Sequence, residues 1–209
     1  MTRARATPLP WLKPGVLTGS LVPLAAILLG SWSGRVGADP IAEAMNQLGL
    51  VALVFLVAAL VCTPVKTIFG WTWPMRLRRA LGLLAFFYAS LHLATYLALD
   101  QRFDWAATWA DLTKRKFIYV GMFAFLTLVP LAATSTNAAV KRLGFKRWKH
   151  LHRLAYLAPV LGVTHFVWRV KRDIREPVIY GTVLAALLAV RLFDYARSRA
   201  LEKFSSQGS

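Results

Sequence analysis

Four histidines occur in the chain, and two of them, His92 and His165, lie deep inside separate apolar segments. An imidazole in hydrocarbon is costly unless it has a partner, so a residue of this kind indicates a functional site. Two such residues on two different helices suggest one shared ligand. Haem iron suits the pair best, because two neutral imidazole nitrogens can occupy its two axial positions. We therefore predict that His92 and His165 are the axial ligands of a haem iron.

The composition is that of a membrane protein. Hydrophobic residues make up 57% of the 209 residues, and long runs carry no charge. The net charge of +17 could indicate nucleic-acid binding, but basic loops between apolar runs fit membrane topology better, so we predict no nucleic-acid partner. The single cysteine, Cys62, excludes intrachain disulfides, cysteine-ligated iron–sulfur clusters and covalent haem attachment through C-x-x-C-H. A haem in this chain would be bound non-covalently.

Six apolar segments predict an all-α fold, a bundle of six transmembrane helices. They cover residues 15–31, 45–63, 79–99, 117–134, 150–168 and 177–194. The first and last are marginal, since a span needs about 20 apolar residues. In the longest loop, Phe103, Trp105 and Trp109 lie among charges, which is typical of a segment in the membrane interface. The predicted parts are a cytoplasmic N-terminal segment over 1–14, a transmembrane haem-binding domain over 15–194 and a cytoplasmic tail over 195–209.

The charged residues predict the orientation. The side with the N-terminus, the loops after the second and fourth segments and the C-terminus holds 17 basic and 2 acidic residues, against 9 basic and 7 acidic residues on the other side. By the positive-inside rule the first side is cytoplasmic. We therefore predict a multi-pass protein of the bacterial inner membrane with both termini in the cytoplasm.

The two intramembrane histidines are predicted to lie at one height. The third and fifth segments run in the same direction, and His92 follows Arg79 by about as many residues as His165 follows Lys149. At about 1.5 Å per residue both fall in the outer half of the bilayer. Each also tops a stripe of small residues on its own helix face. The stripes consist of Ala89, Ala85 and Gly82 below His92, and of Gly162, Ala158 and Ala155 below His165.

The stripes leave two interpretations open. Small residues allow a flat macrocycle to approach, but they equally allow plain helix–helix packing. With a histidine at the same height on each stripe, the haem interpretation is favoured over two unrelated histidines that only form hydrogen bonds in the core. Zinc is a weak alternative, because no close set of His, Cys, Asp and Glu residues accompanies either histidine.

His152 is a separate case. It lies near the cytoplasmic surface, 13 residues before His165, close to 20 Å along a helix and on another face. It could ligate a second haem, line a flavin or quinone site, or lie at the lipid interface. The third segment offers no second histidine at that height, which disfavours a second bis-histidine haem. Nearby, hydroxyls and the Asn137 amide beside Arg153 could hold a phosphate or a quinone carbonyl, or Asn137 could cap a helix.

Four motifs together resemble a known family. They are Arg78-Arg79-Ala-Leu-Gly82-Leu with His92, Thr134-Ser-Thr-Asn137, Arg142-Leu-Gly144 with Trp148-x-x-Leu-His152-Arg153-Leu-x-Tyr156, and His165-Phe-x-Trp168. Over almost its whole length the chain resembles the MsrQ (YedZ) family, haem-binding membrane subunits of the bacterial periplasmic methionine sulfoxide reductase system. These belong to the ferric-reductase-like transmembrane group, which is related to NADPH oxidases.

The resemblance implies a six-helix, ferric-reductase-like cytochrome b with haem b and possibly FMN. It would pass electrons from the quinone pool to a periplasmic molybdopterin subunit, an MsrP-like protein, that repairs oxidised envelope proteins. The family histidines map onto His92, His152 and His165, and we place Arg78, Asn137 and Arg153 at a candidate flavin or quinone site. No catalytic residue is predicted, because the partner would reduce the sulfoxide.

Two other functions remain open from the residues. The chain could be a self-sufficient, quinol-dependent ferric reductase that needs no partner. Alternatively, it could be a haem-free small transporter or membrane assembly factor whose histidines only cross-link helices. The one carboxylate in the apolar segments, Asp194, ends the sixth segment, which leaves none for a proton relay and disfavours a proton-coupled transporter.

Overall fold

The computed structural model describes residues 9–33, 38–170 and 173–207, with side chains described as far as residue 200. Over these ranges the chain is α-helical and contains no strand. The helices are α1 Leu12–Gly19, α2 Leu21–Trp32, α3 Pro40–Phe69, α4 Arg78–Thr95, α5 Trp105–Lys114, α6 Lys116–Ala133, α7 Asn137–Leu143, α8 Phe145–Leu151, α9 Leu154–Arg169 and α10 Arg175–Gln207. Residues 1–8 of the predicted N-terminal segment and residues 208–209 of the predicted tail lie outside the described residues.

Local signals set the helix ends that matter most. Asp39 begins α3 by accepting a 3.0 Å hydrogen bond from the Ala42 amide, and Gly70 ends the helix with φ of +71°. Pro64 lies inside α3 without ending it. Thr136 caps α7 through the Ala139 amide at 3.0 Å. Gly144, with φ of +76°, separates α7 from α8.

Five helices are long and apolar enough to cross a membrane, among the residues that the structure describes. They are Leu12–Trp32 (α1 with α2), Pro40–Phe69, Arg78–Asp100, Lys116–Ala133 and Arg175–Ala200. The predicted fifth segment, 150–168, gives the 16-residue helix α9, which is shorter than the about 20 residues of a full span. The all-helical class is therefore confirmed, whereas six spans are not found by length and composition.

Two helix boundaries differ from those of the predicted segments. The fifth segment begins at Leu154 rather than residue 150, because α8 ends at Leu151 and a turn at His152 and Arg153 separates the two helices. His152 therefore does not share a helix with His165, and the rotation expected along one helix does not apply. The helix of the sixth segment runs past residue 194, because α10 continues through the predicted tail to Gln207.

Four helices surround the interior of the bundle. α3 packs along α4, and α6 packs along α9. Contacts of α4 with α6 and of α3 with α9 close the ring, so the histidine-bearing helices α4 and α9 lie across it from each other. Outside the ring, α2 packs on α3, and α10 packs on α9 and α3.

The short helix α5 follows a π-helical turn, Tyr96–Asp100, at the end of α4. Asp104 caps it through the Ala107 amide at 3.0 Å. Trp105 and Trp109 on α5 are both 67% exposed, and Phe103 before it is 59% exposed. The aromatic side chains of this segment are therefore exposed, and their place at a membrane interface stays a prediction.

Candidate functional site: a histidine pair and two cavities

His92 on α4 and His165 on α9 meet inside the four-helix ring. Their ring centres are 6.1 Å apart, and the ring planes are inclined by 86°. Each histidine follows the basic end of its helix by a similar number of residues, which predicts equal heights in the bundle. The two rings do lie beside each other. Both side chains line one cavity of about 410 Å³, within the range of about 300–1,000 Å³ typical of small-molecule sites.

Each histidine is held by a backbone carbonyl of the neighbouring helix. Nδ1 of His92 lies 2.7 Å from the carbonyl oxygen of Met45 on α3, and Nδ1 of His165 lies 2.6 Å from that of Phe117 on α6. Since a carbonyl oxygen can only accept, Nδ1 carries the proton in both rings. Nε2 is then the nitrogen with a free lone pair, the arrangement usual for a metal-bound imidazole.

Two glycines make these contacts possible. A Cβ atom on Gly49 would lie 3.0 Å from Nδ1 of His92, and one on Gly121 would lie 2.6 Å from Nδ1 of His165. Each glycine follows the carbonyl-bearing residue by four positions, so it lies one turn along the same face. Sequence reasoning missed both glycines, because their role depends on which helix packs beside each histidine.

The pair has the dimensions of a bis-histidine iron site. Bonds of about 2 Å from one metal ion to two imidazole nitrogens on opposite sides put the ring centres about 6 Å apart, which matches the observed separation. Among the described residues there is no group of three or more His, Cys, Asp and Glu side chains that could hold a metal ion. Two imidazoles without further protein ligands fit a metal that brings its other ligands with it, as haem iron does.

Five of the six small stripe residues line cavities, whereas Ala85 is fully buried and lines neither. Ala89, Ala158 and Gly162 line the cavity beside the histidines, which we call the outer cavity. Gly82 and Ala155 line a second cavity of about 1160 Å³ toward the other end of the bundle, the inner cavity. Because α4 and α9 lie across the ring from each other, the stripes leave space between these two helices instead of packing them together.

The inner cavity gathers the polar residues assigned from the sequence. Arg78, Asn137, His152 and Arg153 all line it, and Nη1 of Arg79 donates a 3.2 Å hydrogen bond to Oδ1 of Asn137. Its cationic lining side chains are Arg78, Arg79, Lys149, Arg153 and Arg191. Among the described residues no Asp or Glu lines it. The surplus of positive charge indicates an anionic ligand.

His152 is engaged by its neighbours in this cavity. Its Nε2 lies 3.0 Å from Oγ1 of Thr134, and its ring stacks on Trp148 with centres 4.0 Å apart. Burial, and secondarily the positive charge of Arg78, lower the pKa of His152. Because Nε2 is already in contact with the Thr134 hydroxyl, binding a metal through Nε2 would require loss of that contact.

Arg191 on α10 was missed as a site residue. The sequence places it in a basic helix end, yet its Nη1 donates to the Tyr156 hydroxyl at 2.7 Å and its Nη2 to the Leu60 carbonyl at 2.8 Å. Its guanidinium carbon lies 5.0 Å from the centre of the Tyr156 ring. Its Nε is buried without a hydrogen-bond partner among the described residues. Arg191 also lines the inner cavity, so its guanidinium adds positive charge to that lining.

Comparisons with known proteins agree with these features. The family described as "Ferric reductase like transmembrane component" matches residues 47–163. The chain is 51% identical over 184 residues to the protein-methionine-sulfoxide reductase heme-binding subunit MsrQ of Rhodospirillum rubrum, covering 88% of each chain. It is 48% identical over 193 residues to the MsrQ subunit of Deinococcus radiodurans, covering 92% of this chain and 95% of that one. Against the Herminiimonas arsenicoxydans subunit the identity is 45%, over 87% and 84%.

Proposed function

The chain belongs to the ferric-reductase-like transmembrane family and to the MsrQ haem-binding subunits, and from that membership we propose that it is a membrane electron-transfer subunit with one haem b between His92 and His165. The observation that carries the proposal is the histidine pair itself. Two rings 6.1 Å apart, each with Nδ1 tied to a carbonyl, present two free nitrogens to one cavity.

The chain's own residues define what the site does. Haem supplies one-electron redox chemistry when it is bound. His92 and His165 would take both axial positions, which leaves none for a substrate and favours electron transfer over substrate conversion. Leu56 and Leu128 line both cavities and form an apolar boundary between them, which limits access of water from the inner side.

The inner cavity is proposed as the entry side for electrons. An FMN phosphate or a quinone carbonyl would find Arg78, Arg153 and the Asn137 amide there, with His152 and Trp148 on the same wall. The absence of a lining carboxylate among the described residues supports an anionic or acceptor-rich ligand. The electrons would come from the quinone pool, directly or through the flavin.

The topology we propose has six spans, with α9 as the fifth. Its 16 residues are short, but α9 carries His165 and packs along α6, a helix long enough to span. The charge distribution supports the bacterial inner membrane with both termini in the cytoplasm. The parts proposed are those of residues 1–14, 15–194 and 195–209, with α10 extending into the tail.

On this topology the outer cavity opens toward the periplasm. The short outer segments would leave the haem edge within reach of a periplasmic molybdopterin partner of the MsrP type. That partner would reduce methionine sulfoxide, so the chain itself would have no catalytic residue for that reaction.

The test is the absorption spectrum of the full chain in detergent, with haem stoichiometry from the pyridine haemochrome. We expect one haem per chain and a six-coordinate spectrum in the wild type. His92→Ala and His165→Ala should each lose that spectrum, whereas His150→Ala, on an exposed side chain, should retain it. A colourless wild-type protein would refute the haem proposal, and unchanged spectra in both alanine variants would refute the ligand assignment.

A further inference from the structure

The polar residues of the outer cavity are confined to its outer mouth. Among its described lining residues the charged or amide side chains are Asp39, Asn46, Asp100, Arg115 and Arg169, with the phenol of Tyr96 nearby. The rest of the lining is apolar or glycine, apart from the two histidines. A ligand that fills this cavity and also carries charge must place its charge at the mouth.

Arg169 ends α9, four residues and therefore one helical turn beyond His165. It is half-buried, and its Nη1 donates to Oδ1 of Asn46. Its guanidinium carbon lies 5.9 Å from the centre of the Phe166 ring. Among the described residues it forms no salt bridge, and the carboxylates of Glu43 and Glu176 act on its charge only from a greater distance.

The other charged residues at the mouth have partners of their own. Arg115 forms a salt bridge with Asp111, with Nε 3.3 Å from Oδ1. Asp39 accepts the capping bond of α3, and Asp100 accepts a bond of 2.8 Å from Gln101. Among the described residues, Arg169 is thus the cation at this mouth that has no carboxylate within salt-bridge distance.

Tyr96 offers a second donor at the same place. Its hydroxyl oxygen is buried, lies near the Asp111 carboxylate and has no partner within hydrogen-bonding distance among the described residues. It sits on the π-helical turn Tyr96–Asp100, a local distortion that often accompanies functional sites. Arg169 has the neutral amide oxygen of Asn46 as an acceptor but no carboxylate, and the Tyr96 hydroxyl has no acceptor within hydrogen-bonding distance among the described residues. Both groups therefore fit a carboxylate supplied by the ligand.

We propose that Arg169, assisted by the Tyr96 hydroxyl, binds a propionate carboxylate of the haem at the outer mouth. This inference rests on the proposed haem site. The guanidinium would neutralise the propionate and so help to position the macrocycle between its two histidines. An unpaired carboxylate charge would stabilise the oxidised iron, and the guanidinium would offset this effect. Arg169 would therefore be a positioning residue that tunes the haem.

The test compares haem with haem dimethyl ester, in which both propionates are neutral. The full-length apo chain in detergent is titrated with each, for the wild type, Arg169→Gln, Arg169→Lys and the control Arg115→Gln. We expect Arg169→Gln to weaken haem affinity about tenfold. We also expect it to lower the equilibrium constant for haem reduction about tenfold, which corresponds to a midpoint potential lower by about 59 mV. With the dimethyl ester both effects should shrink to less than about twofold. Arg169→Lys should fall between the wild type and Arg169→Gln.

The outcomes separate the two proposals. Equal effects of Arg169→Gln with haem and with its ester, or no effect with either, would overturn the propionate assignment while leaving the haem site intact. An equally large difference between the two ligands in Arg115→Gln would also overturn it, because the specificity for Arg169 would be lost. A wild-type chain that binds neither ligand would instead refute the haem site itself.

Discussion

Nδ1 of His165 lies 2.6 Å from the carbonyl oxygen of Phe117, and this contact ties α9 to α6 at the height of the histidine pair. His92 makes the same contact with Met45 and thereby ties α4 to α3. Because the two pairs of helices form opposite halves of the ring, each half presents one imidazole with a defined tautomer. A metal between the halves would find both ligands already oriented, which lowers the conformational cost of binding.

The glycine beside each carbonyl is predicted to be necessary for this orientation. Gly121→Ala would put a methyl group 2.6 Å from Nδ1 of His165, so the ring or the helix must move. Overpacking of this kind costs about 1–3 kcal/mol. We expect a reduced haem content and a shifted Soret band, measured on the purified variant at equal protein concentration.

Two further glycine variants serve as comparisons. Gly49→Ala, where the contact is 3.0 Å, should have a smaller effect in the same direction. Gly181 on α10 lines neither cavity, and a Cβ there would meet only Cγ1 of Val163 at 3.5 Å, so Gly181→Ala should leave the stoichiometry close to that of the wild type. If Gly121→Ala behaved like Gly181→Ala, the steric argument would be wrong.

His152 is predicted to be dispensable for the haem. Its Nε2 contacts the Thr134 hydroxyl, and its ring stacks on Trp148. We expect His152→Ala to retain one haem per chain with an unchanged reduced spectrum. A loss of haem comparable with that of His92→Ala would show instead that His152 is a ligand, and the inner cavity would need another assignment.

The equal height of His92 and His165 could be predicted from the sequence, because it follows from the number of residues between each histidine and the basic end of its helix, and the two helices run in the same direction. The separation of His152 from α9 could not, since a two-residue turn at His152 and Arg153 has no proline or glycine to mark it. Gly49 and Gly121 were missed for a different reason. Their importance arises only when α3 lies beside α4 and α6 beside α9, and helix neighbours do not follow from hydropathy.

Arg191 is predicted to contribute to ligand binding in the inner cavity. Its buried Nε has no partner among the described residues, and two other nitrogens are fixed by Tyr156 and Leu60. Hydrogen bonds to charged groups are worth about 1.5–3 kcal/mol, so Arg191→Gln should weaken binding of FMN or a quinone analogue roughly 10-fold or more. Equilibrium titration, by flavin fluorescence or with a labelled quinone analogue, measures this.

The matched control is Arg147, which is exposed and does not line the inner cavity. Arg147→Gln removes the same charge from the same side of the membrane. Equal weakening by both variants would mean that general surface charge attracts the ligand and that Arg191 holds no special position.

Tyr88 is predicted to stabilise the bundle without taking part in electron transfer. It is fully buried on α4, its ring stacks on Phe55 of α3 at 5.6 Å, and its hydroxyl donates to the Ser20 carbonyl. Ser20 lies at the break between α1 and α2, where the carbonyl accepts this bond. Tyr88→Phe keeps the ring but removes the hydroxyl that donates to the Ser20 carbonyl. Loss of this buried hydrogen bond should lower the free energy of unfolding by about 1–3 kcal/mol. We expect a lower thermal midpoint in detergent with haem content and spectrum preserved. Loss of the haem spectrum at a temperature where the variant is folded would contradict this, because it would place Tyr88 in the site rather than in its support.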